Sequence, residues 1–387
     1  MNDVSSRRSA SMRKSPELQG HCASRFDALG DTLRRNFEEH GEIGARITLI
    51  IRGETVVDLW GGWSDLERSR PWTDRTIVNI WSSTKGILGT CFAMLVDRGL
   101  ASYEDKVCRH WPEFAAAGKE DVTIGMLLAH QAGLCAFVEP ASVDDLLSGE
   151  PAAARLQAQA PLWQPGATAG YHGMTIGILA TKLFALIEGR SIKQFVVEEL
   201  AAPFGLDLSI GVTPANIGRV AEVAPVAFDT SALDKSNVAQ TLAFTNPQTP
   251  AELSNDPRWY AADLPAANGF GHARGLAEMY DLLLSGRADG KRLVSPATLR
   301  LATQCRFAGT DLVKGVFTRW GAGYWLNPGQ LYGPNLEAFG HSGWGGSFGF
   351  ADPVAGLACA YTMNRMSGQF DADPRRKSLI NAVYSAL

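Results

Sequence analysis

The placement of the β-rich runs constrains this chain more than any other feature. Near the N-terminus, "ARITLIIRGETVVDLWGGWSD" holds two such runs, Ile47 to Ile51 and Thr55 to Leu59, around a short turn at Arg52-Gly53-Glu54. That pattern reads as a β-hairpin. Far downstream, "LEAFGHSGWGGSFGFADPVAGLACAYTMNR" (Leu336 to Arg365) reads as three strands separated by Gly- and Pro-marked turns. The stretches between are mostly helical or irregular. "VTIGMLLAHQAGL" and "TIGILATKLFALIEGRSIKQFVVEELAAPFGL" carry helical periods, residues 207–260 read as long loops, and "HARGLAEMYDLLLSG" restores a helix. Helices also open and close the chain, in "SRFDALGDTLRRNFEEHG" and "DPRRKSLINAVYSAL". The two sets of strands must pair to complete one sheet, with a helical insertion between them. The expected fold is therefore α/β plus α. A disordered tail spans 1–22, a sheet lobe is built from 23–99 and 258–387, a mostly helical lobe from 100–257, and the cleft between lobes is the place for chemistry.

Composition narrows the function classes. A formal net charge of −4 over 387 residues offers no basic field, so no nucleic-acid partner is expected. No run approaches the roughly 18 apolar residues of a membrane span. The first twenty residues are polar and basic and lack the apolar segment of a secretory signal, which points to a cytoplasmic chain. Six scattered cysteines without a C-x-x-C read as free thiols. With no H-E-x-x-H, Walker A or G-x-G-x-x-G pattern, neither a metal nor an organic cofactor is expected. Oligomeric state is not legible.

Two serines compete as nucleophile. "GGSFG" (Gly345 to Gly349) fits the G-x-S-x-G elbow of one hydrolase fold around Ser347. That elbow needs a strand before it, a helix after it and a histidine later in the chain. The histidines are His21, His40, His110, His130, His172, His272 and His341, all before Ser347, and the local pattern is strand-turn-strand. The rival is Ser82 in "NIWSSTKGILGTCFAML", followed three residues on by Lys85. Residues i and i+3 share a helix face, and the next residues on that face (Leu88, Cys91, Phe92, Leu95) are apolar and would bury it. A lysine at the start of such a helix loses solvation, which lowers its pKa and makes it a usable base. A first-turn serine also keeps a backbone N–H with no intrahelical acceptor, half of an oxyanion hole. Taken alone, the segment reads more readily as a capped helix with a solvated lysine than as a catalytic pair.

Two further features bear on it. Tyr171 follows the Pro165-Gly166 turn and precedes a helix, and a phenol near a lysine can act as acid or base. His341-Ser342-Gly343 ends a strand whose edge could line a cleft.

In this order, Ser82-x-x-Lys85, Tyr171 and His341-Ser342-Gly343 resemble the serine β-lactamase and penicillin-binding protein superfamily, in particular its class C-like branch and the family VIII carboxylesterases. "VVDLWGG", "LLAHQAGL", "NGFGHARGLA" and "WGGSFGFADP" add to the likeness, which covers roughly residues 25 to 385. The resemblance implies a β-lactamase-like fold, with an antiparallel sheet flanked by helices and a helical second lobe. It implies a carboxylesterase acting on a small-molecule ester with a short to medium acyl chain. Ser82 would form the acyl-enzyme, with Lys85 and Tyr171 as base and acid in an order the residues leave open. The N–H groups of Ser82 and Trp344 would make the oxyanion hole. His341, Ser342, Gly343, Trp81, Phe137, His172 and Phe348 are the expected pocket residues, the aromatics being equally readable as core. Two departures stand out: Tyr171-His172-Gly173 replaces Tyr-x-Asn, and His341-Ser342-Gly343 (or Trp344-Gly345-Gly346) replaces Lys-Thr-Gly. Both remove groups that hold a β-lactam, and they lean toward esters or toward peptidase-like relatives that also use His-x-Gly. A β-lactamase, a D-amino-acid peptidase or amide hydrolase, and an acyltransferase are the alternatives.

Overall fold

The computed structural model describes residues 16–286, 290–369 and 372–387. Most of the tail expected over 1–22 lies outside the described residues, but its last part does not: Gln19–Cys22 forms an edge strand, β1. The hairpin strands are β2 (Gly44–Ile51) and β3 (Glu54–Gly62). A small sheet is made of β4 (Val78–Asn79), β5 (Leu208–Ile210) and β6 (Gly269–Gly271). The rest are β7 (Phe307–Thr310), β8 (Phe317–Trp320), β9 (Trp325–Leu326), β10 (Phe339–Ser342), β11 (Phe348–Asp352) and β12 (Leu357–Met363). The large sheet has nine strands in the order β1-β3-β2-β12-β11-β10-β9-β8-β7, with antiparallel pairing throughout.

The ends of the chain do pair. In the register of β2 with β12, Ile47 lies opposite Tyr361 and Leu49 opposite Cys359. Successive side chains of a strand point to opposite faces. Leu357, Cys359, Tyr361 and Met363 pack with Leu33, Phe37, Leu379 and Val383 of the helices Asp27–Glu39 and Pro374–Ser385. Ala358 and Ala360 belong to the core on the other face, together with Leu276, Ala277 and Tyr280 of the helix Ala273–Leu284. Small residues there let that helix lie close to the sheet. Because both faces are covered, β12 reads as one apolar run rather than an alternation.

Beneath the same face runs the helix Thr84–Asp97, in which every residue from Thr84 to Leu95 is buried. A helix apolar on all sides belongs at the centre of a molecule, and this one is packed by β10 of the large sheet and by the helices Thr175–Glu188 and Pro296–Ala302. The region 207–260, expected as loops, carries β5 and the short helices Val238–Thr245 and Pro257–Ala261. Among the described residues no helix is long and apolar enough to cross a membrane.

Candidate active site

The turn before the central helix is built under constraint. Trp81 takes a left-handed conformation (φ 46°), which costs a residue with a Cβ on the order of 1–3 kcal/mol and persists only where the surroundings impose it. Several bonds impose it here. The Thr84 hydroxyl donates to the Trp81 carbonyl and accepts the Gly269 N–H at 2.9 Å. The Ile80 N–H donates to the Gly269 carbonyl at 3.0 Å, and the Asn79 amide donates to the carbonyls of Ala267 and Gly269 at 3.0 and 3.1 Å. The small sheet thus fastens the Ser82 turn to residues 266–269.

Lys85 lies one helical turn on and is 2% exposed. Its Nζ is 3.1 Å from Ser82 Oγ, 2.7 Å from the Gly173 carbonyl and 2.9 Å from the Ala266 carbonyl. Burial pushes its pKa well below the ordinary lysine value, and the nearby Lys314 cation pushes it the same way. A neutral amine has two N–H groups and one lone pair. With both N–H groups engaged by the two carbonyls, the lone pair is left for the Ser82 hydroxyl.

Tyr171 reaches the same oxygen from the segment before the helix Thr175–Glu188, its hydroxyl donating to Ser82 Oγ at 2.8 Å. Its ring also carries Lys85 Nζ above one face, 4.7 Å from the centroid. Buried Asp311 sets the position of Tyr171: Oδ1 accepts the N–H groups of Tyr171, Val313 and Lys314, each at 2.9 Å, while Oδ2 accepts the Trp320 indole N–H at 3.0 Å. Trp320 in turn stacks on the Tyr171 ring at 5.7 Å with a 9° interplanar angle. His130 meets the same ring edge-on at 5.0 Å. Lys314 Nζ lies 5.4 Å from the Tyr171 centroid and 4.4 Å from that of Trp325.

The residues singled out from the sequence fall into two groups. Ser82, Lys85, Tyr171, His341, Gly343, Trp81 and Trp344 come together. His341 is buried and stacks along Tyr171 and Trp320, each at 6.1 Å. Its Nδ1–H donates to the Ser342 carbonyl at 2.9 Å, Nε2 is buried with no hydrogen-bond partner among the described residues, and burial holds the imidazole neutral by pushing its pKa well down. Trp344 is half-buried, 4.9 Å from the Trp81 ring, and Trp81 also packs on Trp259 at 5.5 Å.

The other expected pocket residues point elsewhere. Ser342 Oγ lies on the far side of β10 with the Tyr332 hydroxyl (3.1 Å) and Arg376 (3.3 Å). Phe348 is fully buried among Phe350 and Tyr361. Phe137 is a core residue capped by the Arg155 guanidinium at 4.8 Å. His172 is fully buried, accepting the Leu134 N–H on Nε2 (3.0 Å) and donating from Nδ1 to the Gly170 carbonyl (2.6 Å). Burial lowers its pKa to about 4, so it braces two loops as a neutral ring. The sequence reading passed over Asp311, Trp320, Lys314, Asn79 and the carbonyls of Gly173 and Ala266. Only the "NGFGHARGLA" block hinted at the last, by marking the neighbouring segment.

The Beta-lactamase family model matches residues 30–383. The chain is 34% identical over 336 residues to the Esterase/beta-lactamase LipL of Mycobacterium tuberculosis (strain ATCC 25618 / H37Rv), covering 84% of this chain and 77% of that protein. Among solved structures, a family VIII carboxylesterase superposes with a TM-score of 0.90 at 42% identity, covering 96% of this chain and 100% of the other. A penicillin-binding protein homolog from Caulobacter crescentus gives a TM-score of 0.90 at 38% identity with the same coverage.

Proposed function

The chain belongs to the Beta-lactamase family, and on that premise we propose that it is a carboxylesterase which cleaves small-molecule esters of short to medium acyl chain through an acyl-enzyme on Ser82. The observation that carries this reading is the environment of Lys85 Nζ: two backbone carbonyls take its N–H groups and the third direction is Ser82 Oγ.

Lys85 takes the Ser82 proton as Oγ attacks the ester carbonyl. The negative charge that develops on the carbonyl oxygen is held by the N–H groups of Ser82 and Trp344, each such donor contributing roughly 3–4 kcal/mol. Tyr171 gives its proton to the departing alkoxide and recovers one from Lys85, so the acyl-enzyme stage begins with both groups neutral. In deacylation Tyr171 passes its proton to Lys85, takes one from water, and the Lys85 ammonium returns a proton to Ser82 as the acid leaves. Gly173 stands where the Tyr-x-Asn pattern has an amide side chain, and its carbonyl is engaged by Lys85. An ester needs no amide partner, and this favours ester over β-lactam.

The test combines labelling with substrate choice. A fluorophosphonate should modify Ser82 by peptide mapping, and hydrolysis of p-nitrophenyl acetate through octanoate should outrun that of nitrocefin. Label on Ser347, or nitrocefin turnover equal to the best ester, would overturn the proposal.

A further inference from the structure

Ser347, discounted as a nucleophile, sits in the site with a different task. It is 1% exposed, and its hydroxyl donates to the Ile80 carbonyl at 2.8 Å and lies 3.1 Å from Ser83 Oγ. A hydroxyl offers one donor and two acceptor positions, so with Ser83 O–H donating to it both contacts are satisfied at once. The Ile80 carbonyl also accepts the Ser83 N–H at 3.1 Å and so closes the turn that presents the Ser82 N–H. In the turn between β10 and β11, the Ser347 carbonyl accepts the Gly343 N–H at 2.7 Å, closing the turn that presents the Trp344 N–H.

The two turns are pressed together. A Cβ on Gly343 would collide with both Ser347 Oγ and the Ile80 carbonyl, so only glycine fits there. Beyond Trp344, the Gly345 carbonyl is fixed by the Arg375 guanidinium (2.6 Å) and the Ser367 N–H (2.9 Å). Trp344 is therefore held from both sides, and Ser347 is the residue that bonds to both turns.

We infer that Ser347 is a positioning residue for the oxyanion hole: its hydroxyl and carbonyl set the spacing between the Ser82 and Trp344 N–H groups. This rests on the proposal that Ser82 cleaves esters. A residue acting in this way matters when the carbonyl oxygen becomes charged and matters little when the ester first binds.

In Ser347→Ala, kcat for p-nitrophenyl butyrate should fall about 10- to 100-fold, because misplacing a donor by a fraction of an ångström forfeits much of its effect. KM should stay within about threefold. Inactivation by a fluorophosphonate, whose tetrahedral adduct places an oxygen in the same hole, should slow by the same factor as kcat, with the label still on Ser82. Ser83→Ala leaves the Ser347–Ile80 bond in place and should lose less than about fivefold. Unchanged kcat and inactivation rate in Ser347→Ala, or a loss confined to KM, would overturn the inference. If Ser347→Ala does not fold, Ser347→Cys keeps the volume with a weaker donor and is read in the same way. An active Ser82→Ala would instead break the underlying ester-cleavage reading. An inactive Ser82→Ala beside an unimpaired Ser347→Ala would break this inference alone.

Discussion

Two serine-bearing turns face each other at the centre of this protein, and the difference between them lies in what surrounds each oxygen. Ser82 Oγ is met by a buried amine at 3.1 Å and a phenol at 2.8 Å, and its residue is partly exposed. Ser347 Oγ is met by a carbonyl and another hydroxyl, and its residue is closed off. The first set can remove a proton and return it. The second can do neither, because a backbone carbonyl does not titrate and a serine hydroxyl is no base near neutral pH. The G-x-S-x-G around Ser347 is the more familiar motif; the chemistry of the surroundings favours Ser82. A nucleophile is thus defined by its neighbours' proton affinity more than by its flanking residues.

The widest separation between the turns should appear on deleting each oxygen. Ser82→Ala should lose at least about 10⁴-fold in kcat, as removal of a covalent nucleophile does, against the 10- to 100-fold expected of Ser347→Ala. Comparable losses in both variants, measured on one ester under single-turnover conditions, would erase the distinction.

The two groups on Ser82 Oγ can be separated next. Lys85→Met removes the proposed base and should cost about 10³–10⁴-fold in kcat/KM whatever the leaving group. Tyr171→Phe removes the proposed acid, so its cost should depend on the leaving alcohol. It should be about 10³-fold for an ethyl ester, whose alkoxide needs a proton, and nearer 10-fold for a p-nitrophenyl ester, whose phenoxide does not. Equal losses for both esters in Tyr171→Phe would remove Tyr171 from the acid role.

The placement of these residues is only partly legible in the sequence. The spacing of Ser82 and Lys85 is local, since one helical turn brings them together, and the paired ends of the sheet follow from their strand patterns. Asp311 and Lys314 come from the turn between β7 and β8, strands too short and too broken by glycine and charge to show a period. Nothing near "FAGTDLVKGVF" announces that its aspartate fixes the backbone of Tyr171 from 140 positions away. The small sheet is invisible for the same reason, its strands having only two or three residues. The aromatic pocket residues failed to separate from core because Phe137 and Phe348 share their composition with true cleft residues. What differs is the side of the backbone they occupy, which only pairing and packing decide.

The smallest effect concerns Lys314, the second lysine beside Tyr171. Lys85 must be neutral to act as base, so activity falls as pH drops through its depressed pKa. The acid limb of kcat/KM reports that value. The groups around Lys85 are Tyr171, the buried rings of His130, His172 and His341, and Lys314. Burial holds the three imidazoles neutral, which leaves Lys314 as the cation acting on Lys85 after desolvation. Removing a neighbouring positive charge favours the protonated amine, so Lys314→Gln should raise the Lys85 pKa. The acid limb should then move to higher pH by about 1 unit or less, while the plateau at high pH stays within about twofold of the wild type. Lys314→Arg, which keeps the charge, should leave the limb in place. A limb that moves to lower pH in Lys314→Gln, or that shifts equally in both variants, would mean that Lys85 is not the group whose deprotonation switches the enzyme on.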